Sequence, residues 1–168
     1  MAGQPHAAAK IPRHGVLVLQ FEGNSEHGLD PKGRLIIPTR FREVLKDVYD
    51  TEMLKVTLWQ GKCLRAYPLP EWDELMRKLN AEAVRHPKGS LFIRALVTSV
   101  VECPVDKQGR ILLPPKTRSD AGIDRDVVLA GVLQHFEIWD KAAWEREFAD
   151  MQASFADYEE IMTAVGVL

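Results

Sequence analysis

The sequence predicts an α+β fold, mainly β with short helices, in which two tandem copies of one small module are followed by a C-terminal helix. Three observations carry this reading: a segment that returns in register later in the chain, short β-prone runs punctuated by turn residues, and a regularly spaced aromatic seam near the end.

The repeat comes first because it organises everything else. Leu29 to Arg42 reads Leu-Asp-Pro-Lys-Gly-Arg-Leu-Ile-Ile-Pro-Thr-Arg-Phe-Arg, and Val105 to Arg118 reads Val-Asp-Lys-Gln-Gly-Arg-Ile-Leu-Leu-Pro-Pro-Lys-Thr-Arg. Asp30 and Asp106, Gly33 and Gly109, Arg34 and Arg110, Pro38 and Pro114, and Arg42 and Arg118 coincide at one offset. Downstream, Tyr67 with Trp72 matches Trp139 with Trp144 at an offset four residues shorter, which predicts a longer loop around Asp50 to Glu52 in the first copy. Two matches in the same order indicate an internal duplication. The expected divisions are an N-terminal extension at 1–15, expected to be flexible, a first module at 16–90, a second at 91–140, and a C-terminal helix and tail at 141–168.

The elements follow in order within each copy. Asp at the first position of a tight turn, Gly at the fourth and Pro31 at the second fit a type I turn, so Asp30 to Gly33 and Asp106 to Gly109 are turns. They are flanked by strands at Ser25 to Leu29 and Arg34 to Ile37, and at Val100 to Val105 and Arg110 to Leu113, giving one hairpin per copy. Gly33 and Gly109 supply the left-handed residue of a bulged loop. Proline then opens a short helix in each copy, over Thr39 to Lys46 and Lys116 to Ala121. Further strands are expected at Leu54 to Leu58, Cys63 to Tyr67, Val127 to Ala130 and Phe136 to Trp139, and Trp72, Leu75, Met76 and Leu79 mark an amphipathic helix. Trp144, Phe148, Met151, Phe155, Tyr158 and Met162 alternate in steps of four and three along a terminal helix, either closing the core or meeting another subunit.

Composition excludes several classes. With 46% apolar and 27% charged residues the chain resembles ordinary folded domains, and no apolar run approaches the ~20 residues a membrane span needs. The cytoplasm is therefore the expected compartment. Cys63 and Cys103 form no Cys-x-x-Cys pair and read as buried small hydrophobes. His6, His14, His27, His86 and His135 lack ligand spacing, and neither a Gly-rich phosphate loop, a zinc-protease motif nor a nucleophile elbow is present. No enzyme activity, metal, cofactor or small-molecule substrate is expected. The net charge of −2 means that any nucleic-acid contact must be local, and the acids do gather late, from Glu145 to Glu160.

The duplicated Asp-x-x-Gly-Arg turn, followed each time by three aliphatics and Pro, resembles the MraZ family from about Phe21 to Trp144. That resemblance implies two modules related to the AbrB/SpoVT swapped-hairpin domains, packed about an internal pseudo-two-fold, and assembly of subunits into a closed ring. It also implies a transcriptional regulator of the bacterial cell-division and cell-wall gene cluster, nucleoid-associated, that binds double-stranded DNA at promoter-proximal, G-rich direct repeats. The implied DNA-binding residues are Asp30, Lys32, Gly33 and Arg34 in the first turn, with Asp106, Lys107, Gly109 and Arg110 in the second.

The chemistry of the turns agrees. A guanidinium on a rigid turn can bond O6 and N7 of guanine together, whereas a carboxylate repels phosphate and suits holding the turn. Lys32, Arg40, Arg42, Lys107, Lys116 and Arg118 are candidate phosphate contacts. Weighed against this, an Arg four residues after an Asp can simply close the turn with a salt bridge, and His27 beside the first turn can be a packing residue. The competing functional reading is a protein-interaction or antitoxin-like scaffold that binds no specific DNA.

Overall fold

Two copies of one element order make up residues 19–167, the part of the chain described by the computed structural model; the extension expected at 1–15 lies outside it. The first copy runs β1 (Asn24–Gly28), β2 (Arg34–Ile36), α1 (Thr39–Asp47), β3 (Met53–Trp59), β4 (Cys63–Pro68), α2 (Leu69–Ala83) and α3 (Gly89–Ser99). The second runs β5 (Val101–Pro104), β6 (Arg110–Leu112), α4 (Pro115–Asp120), β7 (Asp126–Val132), β8 (His135–Asp140), α5 (Lys141–Ala153), a 3₁₀ turn (Phe155–Tyr158) and α6 (Glu159–Ala164). The expected α+β class holds, and each strand read from sequence lies within two residues of its observed place.

The copies interlock. The larger sheet is antiparallel with the order β1-β7-β8-β4-β3-β5, so β1 of the first copy pairs with β7 of the second, and β5 of the second pairs with β3 of the first. β2 and β6 leave this sheet and pair with each other as a separate antiparallel ribbon. The hairpins expected within each copy are therefore exchanged: only one rung, Asp30 N–H to the Arg34 carbonyl at 3.0 Å, closes the first turn before its strands diverge. Exchange gives each copy's unpaired edge a partner from the other.

A pseudo-two-fold follows from the register. Leu35 faces Ile111 in the ribbon and Arg65 faces Glu137 between β4 and β8, and both pairs join equivalent positions of the two copies. Identical copies would set like against like here. Instead, Arg65 Nε donates to Glu137 Oε1 at 2.9 Å and its guanidinium lies 3.7 Å over the Trp59 ring.

The main core lies between the ribbon and the larger sheet. Phe21, Phe41 and Phe136 meet at centroid distances of 5.1 to 5.3 Å, and Leu35, Ile37, Ile111 and Leu113 descend onto them from the ribbon. Cys63 and Cys103 are buried, and loss of hydration pushes each thiol up to about 12. On the opposite face of the sheet α2 and α3 pack over Tyr67 through Trp72 and Leu96, as the spacing of Trp72, Leu75, Met76 and Leu79 leads one to expect for α2.

Three expectations need correction. The four extra residues of the first copy are not a longer loop at Asp50 to Glu52: α1 is one turn longer than α4, and one further residue falls in the β3–β4 connection. Helix α3 has no counterpart among the elements read from sequence. Finally, the terminal seam is not one helix closing the core, because α5 ends at Ala153, none of its residues is buried, and Phe148, Met151 and Phe155 are exposed. Asp140 caps the start of α5, accepting from the N–H groups of Ala142 and Ala143.

Candidate nucleic-acid interface

Each turn is built by its aspartate. The Asp30 backbone carbonyl accepts from Gly33 N–H at 2.9 Å, and one carboxylate oxygen accepts from the N–H groups of Lys32 and Arg34, both at 2.9 Å. Asp106 repeats this with Gly109, Gln108 and Arg110. The other carboxylate oxygen takes the side chain: Arg34 Nε donates to Asp30 at 2.5 Å, and Arg110 Nε to Asp106 at 2.9 Å. The N–H of Arg34, and in the second turn that of Arg110, does most to hold each carboxyl below the usual carboxylate range.

The salt bridge weighed as the plain explanation of each arginine is thus present, but it uses one edge of the guanidinium. Among the described residues neither terminal nitrogen of Arg34 donates to a protein partner, and the side chain is 33% exposed. Arg110 is held more firmly, because its Nη2 donates to Gln108 Oε1 at 2.8 Å. Lys32 stands where Gln108 does, so the twin turns are not equivalent. Sequence reading did not single out Gln108.

The glycines do more than turn the chain. Gly33 and Gly109 have φ of +81° and +77°, and a Cβ on Gly33 would stand 3.1 Å from Arg118, one on Gly109 2.8 Å from Arg42. Each repeat's closing arginine therefore packs across the other repeat's turn. Arg42 Nε donates to the Ile37 carbonyl and Arg118 Nε to the Leu113 carbonyl, both at 3.1 Å, which commits part of each to architecture rather than to the phosphate contact expected. The carbonyls of Gly109 and Gly33 in turn accept from Ile37 and Leu113 N–H, tying the turns to the ribbon.

The ribbon register decides where the arginines point. Arg34 stands opposite Leu112 and Ile36 opposite Arg110, while Leu35 and Ile111 between them are buried. Because successive side chains alternate, Arg34, Ile36, Arg110 and Leu112 share the outer face. Lys32 and Lys107 are exposed in the turns at the ends of this ribbon. Helix α5, which carries the acids Glu145, Glu147 and Asp150 beside Lys141 and Arg146, lies on the other side of the larger sheet from the ribbon: it packs through Trp144 on Trp139, whose neighbour Ile138 belongs to the main core. His27 on β1 is half-buried and bonds Ser25 at 2.8 Å, the packing role, and burial lowers its pKa. Lys116 pairs with Asp120 at 2.7 Å, and Arg40 lies 5.0 Å from the centre of the Phe41 ring. Among the described residues no helix is long and apolar enough to cross a membrane.

Comparison with known proteins agrees with the duplication. The family model described as "MraZ protein, putative antitoxin-like" matches twice, over residues 20–94 and 96–165. The chain is 44% identical over 147 residues to the "Transcriptional regulator MraZ" of Syntrophobacter fumaroxidans, spanning 88% of this chain and 97% of that protein. Against the proteins of the same name from Desulforamulus reducens and Desulfitobacterium hafniense it is 41% identical over 140 residues and 40% over 147, covering 83% and 88% of this chain and 95% and 99% of theirs. Matched by the family model in both copies and by these relatives along nearly their full lengths, the chain belongs to the MraZ family.

Proposed function

We propose that this protein is a transcriptional regulator that binds double-stranded DNA through its twin turns, with Arg34 and Arg110 reading guanine in the major groove and Lys32 and Lys107 meeting phosphate. The observation that carries the reading is the ribbon register, which sets both guanidinium groups on one exposed face. Asp30 and Asp106 orient the arginines, and Gly33 and Gly109 permit the turns. A two-stranded ribbon is narrow enough to enter a major groove about 12 Å wide. The names of the relatives add support, since they are called transcriptional regulators.

One ribbon makes few contacts, so the reading includes several subunits in a closed ring spread over direct G-rich repeats, where linkage raises the effective concentration. The proposed targets are promoter-proximal repeats of the cell-division and cell-wall gene cluster, which would associate the protein with the nucleoid. Placing late acids such as Glu145, Glu147 and Asp150 of α5 away from the ribbon lets such a face coexist with a net charge of −2. A footprint on the DNA upstream of the protein's own gene tests the proposal. Protected, regularly spaced G-rich elements are expected, with affinity dropping steeply as salt rises through about 50 to 200 mM because bound phosphates release counterions. Absence of sequence-specific duplex binding at low salt defeats it.

The second reading, a protein-interaction or antitoxin-like scaffold, draws on exposed apolar side chains of the helices: Leu91, Phe92 and Val97 of α3, with Phe148, Phe155 and Ile161 farther on. Partner binding through such surfaces would be nearly indifferent to salt, which separates the two.

A further inference from the structure

The outer face of the ribbon carries two residues that the twin arginines do not explain. Ile36 and Leu112 are 52% and 54% exposed, large aliphatics held out to solvent between guanidinium groups. Elsewhere in the ribbon aliphatics point inward: Leu35 and Ile111 are buried. Neither belongs to a core cluster of the described residues, and with only three residues per strand they make up half of the outer face.

Resting on the DNA-binding reading above, we propose that Ile36 and Leu112 are specificity residues that read the 5-methyl group of thymine beside the guanines read by Arg34 and Arg110. Each aliphatic stands directly across the ribbon from an arginine, Leu112 from Arg34 and Ile36 from Arg110. Directly opposed residues have Cα atoms about 5 Å apart, and diagonal ones such as Arg34 and Arg110 roughly 8 Å, so neighbouring side chains fall on adjacent or next-adjacent base pairs. The thymine methyl is the apolar feature of the major groove, and an aliphatic side chain is its complement. Charge selects the occupant. An apolar pair enclosed by Arg34, Arg110, Lys32 and Lys107 suits a polyanion that exposes methyl groups better than an uncharged protein surface.

Uracil differs from thymine only by that methyl group, which provides the test. Each thymine of the footprinted duplex is replaced in turn by uracil, and binding is compared for the intact chain, Ile36→Ala and Leu112→Ala, with light scattering and thermal melting on all three. For the intact chain, uracil at one or two positions next to a protected guanine should weaken binding about three- to fivefold, the effect of losing one buried methyl. Each variant should bind the thymine duplex more weakly by a similar factor and become indifferent to uracil at its own position.

The inference is overturned if the intact chain is indifferent to uracil throughout, if the variants keep full methyl sensitivity, or if they lose subunits, which would make the pair a contact between copies. Arg34→Ala separates the levels. If it abolishes specific binding while uracil is silent, only the methyl reading fails; if no duplex is bound specifically at all, both readings fail.

Discussion

Arg34 and Arg110 differ in what holds them, and the difference has consequences at the scale of single residues. Arg34→Ala and Arg110→Ala should each weaken sequence-specific binding by about 1–3 kcal/mol while leaving the subunit number from light scattering unchanged. Gly33→Ala and Gly109→Ala should act on stability instead. A Cβ there meets Arg118 or Arg42 and forces a positive φ on alanine, costing about 1–3 kcal/mol in thermal or urea unfolding. The response to pH follows from depressed carboxylates. Asp30 and Asp106 have folded pKa values below the ordinary 3.8, so their contribution is complete above that value and disappears as pH falls through the lower folded ones. Binding followed from pH 8 to 5 should therefore show no titration of the turns. His27, lowered from 6.5 by burial, resists protonation in the folded state, and stability should decline modestly as pH drops below 6.5. The turns were legible in sequence because Asp, Pro and Gly act on their own immediate backbone. The packing of Arg42 on Gly109 and of Arg118 on Gly33 was not, because each contact joins the two copies.

Among the elements, legibility followed the same division between local and distant causes. Strands bounded by turn residues were read to within two positions, whereas the pairing of β1 with β7 rather than with β2 depends on an edge supplied from the other copy. Helix α3 was not read from sequence although Ile93, Leu96, Val97 and Val100 keep a helical spacing, because Leu91 and Phe92 merge that stripe into one apolar run, and of Leu91, Phe92, Ile93, Leu96 and Val97 only Leu96 is buried. What fixes its end is tertiary. Thr57 of β3 is fully buried, and its hydroxyl donates to the Leu96 carbonyl at 2.8 Å and lies 2.8 Å from Ser99 Oγ. Replacing Thr57 by Val keeps the shape and removes that bond, leaving the Ser99 hydroxyl as the carbonyl's partner. A loss of about 1 kcal/mol is expected, with faster amide exchange confined largely to α3. Unchanged exchange there would show that packing on Tyr67 and Trp72 suffices to hold the helix. The seam from Trp144 to Met162 kept its spacing in sequence through a break at Ser154, since periodicity does not register a 3₁₀ turn.

At the scale of the whole molecule, the duplication turns a dimer-like arrangement into one chain. The pseudo-two-fold passes through the Leu35–Ile111 and Arg65–Glu137 pairs, so the ribbon stands over the centre of the larger sheet, backed by Phe41 and its aromatic neighbours. The recurrence of Asp-x-x-Gly-Arg made this duplication visible and the family resemblance implied exchanged hairpins; which strands pair, and the outer face that both arginines share, came from the register. Guanine N7 methylation interference on the footprinted promoter DNA tests most directly whether those arginines read bases. Methylating guanines inside the protected elements should block binding by the intact chain, and Arg34→Ala or Arg110→Ala should lose sensitivity at its own subset of guanines. Interference identical in pattern and strength for the intact chain and both variants would contradict the assignment.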